Sequence, residues 1–395
     1  MRVKLRIPTS AWTLGDQGVV SLGTFAVNMV LARDLTPDQY GTFSLIFLSI
    51  MGLSTITNAV LFYPLSVRAT VTSDADRSEV FGAGLLLTFL GCVPLCVVLA
   101  IGLLLLGCAD VAVSVVAWFV LRQAQELFRR ALFSEMRHAA AVPGDMICYL
   151  GQALVLFLLA RSNELTIDHA ILSMAGMSAV AAVLQATQVS IRFGQTSALW
   201  RFARDWLGLG AGSLGIQLLA TLRTQFFPWA LAAVSGPAAA ANYQAASNLV
   251  QLCNPLIIGL CNVIPQMSAR GLTARDYKHA WKVAQPLMIL GAAPLLACYV
   301  LLGALPSTVL AIFYGAGSAY THLGTVVQAL TLSAVLTYPV EMVLTYLHGI
   351  AKTPLGVRIN FVGLIASVVL GLPLTVTFGL AGSCVALLGS VACAP

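Results

Sequence analysis

The residues able to do chemistry in this chain are few, and nearly everything around them is apolar. Of 395 residues, 59% are hydrophobic and only 9% are charged. Within one apolar run stand Arg122, Glu126 and Arg129, at i, i+4 and i+7 of a single helical face. Asp16, Arg223 and Glu341 stand in three other runs. A charge at the centre of a membrane-spanning helix costs about 2.5–3.5 kcal/mol on insertion scales, so each needs a partner or a wet surface. Guanidinium groups suit an anion, and the carboxylates suit a coupling ion. Two readings of Arg122 and Glu126 stand: a self-neutralising i,i+4 pair that supports structure, or a polar ladder leading to one side. Asp16 reads equally as a residue snorkelling to the near surface. Arg223 has no partner nearby in sequence and is the leading candidate for binding an anion.

Neutral polar residues add stripes to the same runs. Gln17, Ser21, Thr24 and Asn28 are spaced for one face, as are Ser213, Gln217, Thr221 and Thr224. Gln244, Asn248 and Gln251 form a third set. Such stripes either line a hydrated cavity that bonds sugar hydroxyls or hold helices together in lipid. The five histidines show no HxxH or HExxH spacing, and the chain has no GxxxxGK[ST] and no GxSxG. Metal, cofactor and hydrolytic chemistry are therefore not expected. Asp34, Asp38, Asp74, Asp76 and Glu79 read as solvated loop charges.

The elements that position these residues follow from run length. Roughly 20 apolar residues cross a hydrocarbon core as a helix, and lipid forces every backbone polar group to bond within its own segment. Runs at 13–32, 41–63, 80–106, 110–132, 143–160, 166–190, 205–234, 237–264, 281–304, 322–350, 355–375 and 377–394 predict twelve transmembrane helices. Arg122 lies 12 residues into the fourth, about 18 Å deep at 1.5 Å per residue. With the N-terminus inside, and counting the lower part of the fourth helix with its loop, all Lys and Arg but Arg33, Arg161 and Arg223, of 21 in the chain, fall on the cytoplasmic side. Both termini are thus expected to be cytoplasmic. The net charge of +6 suits anionic inner-leaflet lipid, not nucleic acid. The basic start, MRVKLRIPTSAWTL, flanks a retained first helix with no signal-peptide cleavage pattern. LPSTVLAIFYGAGSAY, at 305–320, is too broken for a span and reads as a partly re-entrant outer loop. The nine cysteines lie in or beside apolar runs and read as small core residues.

The chain also resembles itself. VLFYPLSVRA at 60–69 parallels CNVIPQMSARG at 261–271, and Pro37 and Tyr40 precede the second span much as Pro237 and Tyr243 open the eighth. These parallels predict an all-α integral membrane protein of two six-helix lobes, 1–190 and 207–395. An amphipathic linker at 191–206, IRFGQTSALWRFARDW, is expected to join them while lying along the inner membrane interface. Six is even, so both lobes start inside and are related by a pseudo-two-fold along the membrane normal, with a cavity expected between them.

LGDQGVVSLGTFAVNMVLARDLTPDQYGTFSL, at 14–45, resembles the opening of Wzx-type O-antigen and exopolysaccharide flippases of the MOP exporter superfamily. LAIFYGAGSAY looks like the segment before their tenth helix. The resemblance implies a MATE-like fold in a bacterial inner membrane, working by alternating access on lipid-linked oligosaccharide carried by a polyprenyl diphosphate. Coupling to H+ or Na+, and a glycan polymerase or other assembly proteins as partners, are implied with it. Asp16 and Gln17 match the family's helix 1 pair, and Arg223 would be one of its cavity cations. The candidate cavity residues are Arg223, Arg122, Arg129, Gln17, Asn28, Gln217, Asn248 and Gln251; the ion-coupling candidates are Asp16, Glu126 and Glu341. An ion-coupled exporter of drugs or other small cations from the same superfamily is the alternative. A membrane glycan-processing enzyme is disfavoured, because no long extramembrane loop carries an Asp or Arg cluster.

Overall fold

The computed structural model describes residues 9–194, 196–272, 276–350 and 352–392. The basic flank Arg2, Lys4 and Arg6, together with Arg275 and Cys393, lies outside the described residues. Among the described residues the secondary structure is helical throughout. The elements are α1 (Thr9–Asp34), α2 (Pro37–Val71), α3 (Asp74–Leu105), α4 (Ala112–Ser134), α5 (His138–Arg161) and α6 (Ile167–Ala186). They continue as α7 (Thr196–Ser235), α8 (Pro237–Gly271), α9 (Tyr277–Ala304), the short α10 (Pro306–Tyr314), α11 (Gly324–Gly349) and α12 (Thr353–Ala392).

Eight of these are long and apolar enough to cross a membrane by length and composition, among the described residues. Outside that set lie the short α10 and α1, α4 and α7, the last three carrying charges in their sequences, among them Asp16 in α1, Arg122, Glu126, Arg129 and Arg130 in α4, and Arg223 in α7. α12 is counted once but turns on Gly379, whose φ of +56° suits a residue without a Cβ. Thr375 and Ser383 bond across that turn at 2.8 Å, and Gly389 packs on Leu370. Its two arms are the eleventh and twelfth expected spans.

Helix ends follow local chemistry. Pro37, Pro237 and Pro306 each occupy a first helical position, where the missing N–H costs nothing. Gly236, at φ +83°, alone separates α7 from α8. Pro339 sits inside α11 without ending it. The internal repeat is visible in the helices: α2 and α8 are each 35 residues long. Each is interrupted, α2 by a π turn at Asn58–Phe62 and α8 by a 3-10 turn at Gln251–Cys253. The segment expected as an inter-lobe linker enters α7 from Thr196 onward without a break.

The chain divides into two compact units, Met1–Asp34 with Ile46–Leu218, and Leu35–Leu45 with Leu219–Pro395. In the first, α4 packs along α6, and Phe62, Leu65, Phe81, Leu127, Leu132 and Trp206 belong to one apolar core. In the second, α8, α9 and α11 pack together around Ile264, Ala284, Met288 and Met342. There Tyr314 and Tyr320, from the stretch expected to be re-entrant, are buried, and the Tyr314 hydroxyl donates to Ala245 O at 2.8 Å. The exterior inverts the soluble-protein pattern. Leu86, Leu90, Val93, Val97, Ile101 and Leu104 are all exposed at helical spacing along α3, forming a stripe fit for acyl chains.

Candidate functional site

Within the first unit, three helices meet on one guanidinium, and a fourth braces one of its partners. Arg129, on α4, donates through Nη2 to Asp16 Oδ2 on α1 at 2.6 Å and through Nε to Asp145 Oδ2 on α5 at 2.8 Å. Its Nη1 donates to Glu126 Oε2 at 3.2 Å, and the guanidinium lies 4.8 Å from the Phe133 ring centre. From α4 and α6, Gln125 and Gln185 each donate Nε2 to Asp145 Oδ1, at 2.8 and 3.1 Å. Asp16 and Asp145 are 0% exposed. Gly144 makes this convergence sterically feasible, because a Cβ there would lie 2.5 Å from Gln185 Nε2.

The cluster is not fully satisfied. Asp16 Oδ1 is buried without a partner, and the Asp16 and Asp145 carboxylates are brought together on one guanidinium. Glu126 is shared with Arg130, whose Nε donates to Oε1 at 2.6 Å. One guanidinium therefore faces two sealed carboxylates, with the third neutralised by Arg130. Asp16 and Asp145, held by one guanidinium between them, are the carboxylates at which a proton or a monovalent cation would find a partner.

Arg122, two turns earlier on α4, is different. Its Nη2 contacts Met51 Sδ at 3.7 Å, and no carboxylate comes within ion-pair distance of it among the described residues. The i,i+4 pair that the Arg122–Glu126 spacing allows is not formed; Glu126 turns to Arg129 and Arg130 instead. Within the second unit, Arg223 Nη1 donates to Asn360 Oδ1 at 3.3 Å, and Gly363 leaves its guanidinium room. Glu341 lies in its field but outside ion-pair distance. Both arginines thus lie near a carboxylate, Arg122 in the field of Glu126 and Arg223 in that of Glu341, without closing an ion pair with it.

The polar stripes divide between the two readings. In α1, Asn28 is 6% exposed and donates Nδ2 to Thr24 O at 2.9 Å, whereas Gln17 is half-buried. In α7, Gln217 donates to Ser213 Oγ at 3.2 Å, and that hydroxyl reaches Ala59 O at 3.3 Å. In α8, Asn248 is buried and donates to the Tyr40 hydroxyl at 2.8 Å, tying two helices, while exposed Gln251 donates to Ser247 Oγ at 2.7 Å. Asp145, Gln125 and Gln185 are the residues that sequence reasoning missed. Gln125 is one turn before Arg129 on the same face, which was a usable signal. Asp145 stands at the rim of its span, where a carboxylate reads as a loop charge.

No protein-family model matches the chain, and no curated protein matches it. Solved structures do. An inward-facing multidrug resistance MATE family transporter of the MOP superfamily superposes with a TM-score of 0.77 at 14% identity, over 96% of this chain and 94% of that one. The lipid II flippase MurJ, in an inward closed conformation, gives 0.73 at 11% identity over 98% and 85%. A MOP superfamily transporter from Pyrococcus furiosus, described as having a binding pocket of reversed polarity that suggests a different function, gives 0.70 at 14% identity over 97% and 92%. The chain has the MOP transporter fold.

Proposed function

We propose that this protein is a membrane transporter of the Wzx type. It moves a polyprenyl-diphosphate-linked oligosaccharide, an O-antigen or exopolysaccharide repeat unit, from the inner to the outer leaflet of a bacterial inner membrane by alternating access. The observation that carries the reading is the pair of guanidinium groups, Arg122 and Arg223, that no carboxylate neutralises among the described residues. A half-buried cation without an ion-pair partner is available to an anion that comes and goes, as a diphosphate headgroup does. Gln17, Asn28, Gln217, Asn248 and Gln251 are the proposed sugar-facing candidates; Gln17 and Gln251 have the most exposed side chains for it. Both termini lie in the cytoplasm in this proposal, and glycan polymerase is a partner on the far side.

Coupling is proposed at the Arg129 cluster. Asp16 and Glu126 with Asp145 hold the charge that H+ or Na+ would balance, and Glu341 near Arg223 is the second candidate. A drug or cation exporter is the competing function, favoured by the same cluster because its carboxylates could exchange a cation. In vesicles containing purified protein, a fluorescent polyprenyl-diphosphate oligosaccharide is expected to become accessible on the opposite face, with at least tenfold loss in Arg122→Gln and Arg223→Gln. Efflux of a cationic dye with no translocation of the lipid-linked sugar would select the exporter instead.

A further inference from the structure

A groove of about 340 Å³ lies within the first unit, between α2, α3 and the start of α7. Val60, Leu61, Leu87, Leu90, Ala203 and Trp206 line it. Its volume falls in the range of about 300–1,000 Å³ typical of small-molecule sites, but it has almost no polar wall. The groove opens onto the lipid-facing surface: Leu90, Trp200 and Leu207 at its edge are 60%, 74% and 59% exposed, and Leu90 belongs to the apolar stripe of α3. An apolar groove open to hydrocarbon fills with hydrocarbon, since an empty one forfeits the contacts of its lining. What selects the occupant is the rim.

On α7, Leu199, Trp200, Ala203, Trp206 and Leu207 cover one arc, and Arg204, 100° per residue around the helix, stands at its edge next to Trp200. Arg204 is exposed and, among the described residues, pairs with no carboxylate. Arg68, two turns below Leu61 on α2, is also exposed; it bridges to Asp205 at 2.9 Å, which neutralises it in part. Trp200 has the place of an interfacial anchor. Trp206 closes the inner wall of the groove, where its indole is 1% exposed.

We propose that this groove holds one anionic phospholipid from the leaflet on the arginine-rich side. An acyl chain lies against Leu87, Leu90 and Trp206, and the phosphate sits on Arg204 with Arg68 beside it. The lipid fastens the start of α7 to α2 and α3. The site is separate from the Arg129 cluster, and the inference does not depend on what the protein transports.

The full-length protein in mild detergent, mixed with phosphatidylglycerol and phosphatidylcholine of identical chains, is read by native mass spectrometry. One retained phosphatidylglycerol, preferred at least tenfold over phosphatidylcholine, is expected. Arg204→Gln, a surface change that leaves folding untouched, should remove the preference, and Ala203→Leu should remove retention by filling the groove. Arg161→Gln, which deletes a cation elsewhere, should change neither. Bromine-labelled phosphatidylglycerol chains should also quench indole fluorescence less in Trp200→Phe and Trp206→Phe than in the parent. Equal retention of both lipids, an unchanged preference in Arg204→Gln, or displacement of phosphatidylglycerol by an undecaprenyl phosphate would overturn the proposal.

Discussion

Arg129→Gln isolates the stability held in the first unit's charge cluster. The guanidinium is 7% exposed, and its partners Asp16 and Asp145 are 0% exposed. Removing one member of a buried pair leaves an uncompensated charge and typically costs about 3–5 kcal/mol. Here one substitution orphans two sealed carboxylates, so the upper part of that range is expected near pH 7. The neutral Gln donates fewer bonds and supplies no charge. Equilibrium unfolding in mixed micelles measures the loss directly. The decisive arm is the triple variant Arg129→Gln, Asp16→Asn, Asp145→Asn, in which the orphaned charges are removed as well. It should recover at least about 1–3 kcal/mol relative to the sum of the separate losses, the size of coupling found between residues sharing one network. Strict additivity, or an Arg129→Gln protein as stable as the parent, would refute the view that these three groups are sealed together.

Other substitutions should behave in proportion to their surroundings. Arg130→Gln should cost less than about 1 kcal/mol in the same unfolding assay, because Arg130 is 38% exposed and Glu126 keeps Arg129. Gly23→Leu should abolish folded yield on size-exclusion chromatography, since even a Cβ at position 23 falls 2.6 Å from Tyr149 Cβ where α1 meets α5; Gly18→Ala, with open space around it, should be silent. Gly379→Ala should destabilise by about 1–2 kcal/mol through its left-handed backbone, and Gly379→Asn by less, as judged by relative thermal midpoints.

The fold was legible in the sequence because its signal is long. Twenty apolar residues between basic loops leave a helix little alternative, and a 200-residue echo between VLFYPLSVRA and CNVIPQMSARG became two interrupted helices of equal length. The sites were less legible. Spacing on α4 placed Arg122, Glu126 and Arg129 on one face, but spacing within a helix says nothing about which residues other helices bring to it. Glu126 had two candidate partners at i+3 and i+4, and it took both, leaving Arg122 aside. Asp145 joined from α5 across a sequence gap of 16, through a backbone whose Pro143 and Gly144 look like loop chemistry. The polar stripes were real as faces but mixed as roles. Asn248 serves a hydrogen bond to Tyr40, while Gln17 stays half-buried.

The separation between neutralised and unneutralised arginines has a consequence for how the proposed transport would fail. Arg129 cannot release its carboxylates without exposing two buried charges, so it is a poor ligand for a substrate that must bind and leave in each cycle. Arg122 gives up a weak sulfur contact and its interaction with Tyr149 but no salt bridge, and Arg223 a single amide oxygen. Both can exchange these for phosphate oxygens at little cost, and a guanidinium does so bidentately where an ammonium cannot. Arg122→Lys should therefore retain charge and fold yet lose most of the headgroup affinity. Were translocation of the lipid-linked sugar to survive Arg122→Gln and Arg223→Gln together while Arg129→Lys abolished it in a folded protein, substrate binding would have to be moved onto the cluster, and the roles argued above would be exchanged.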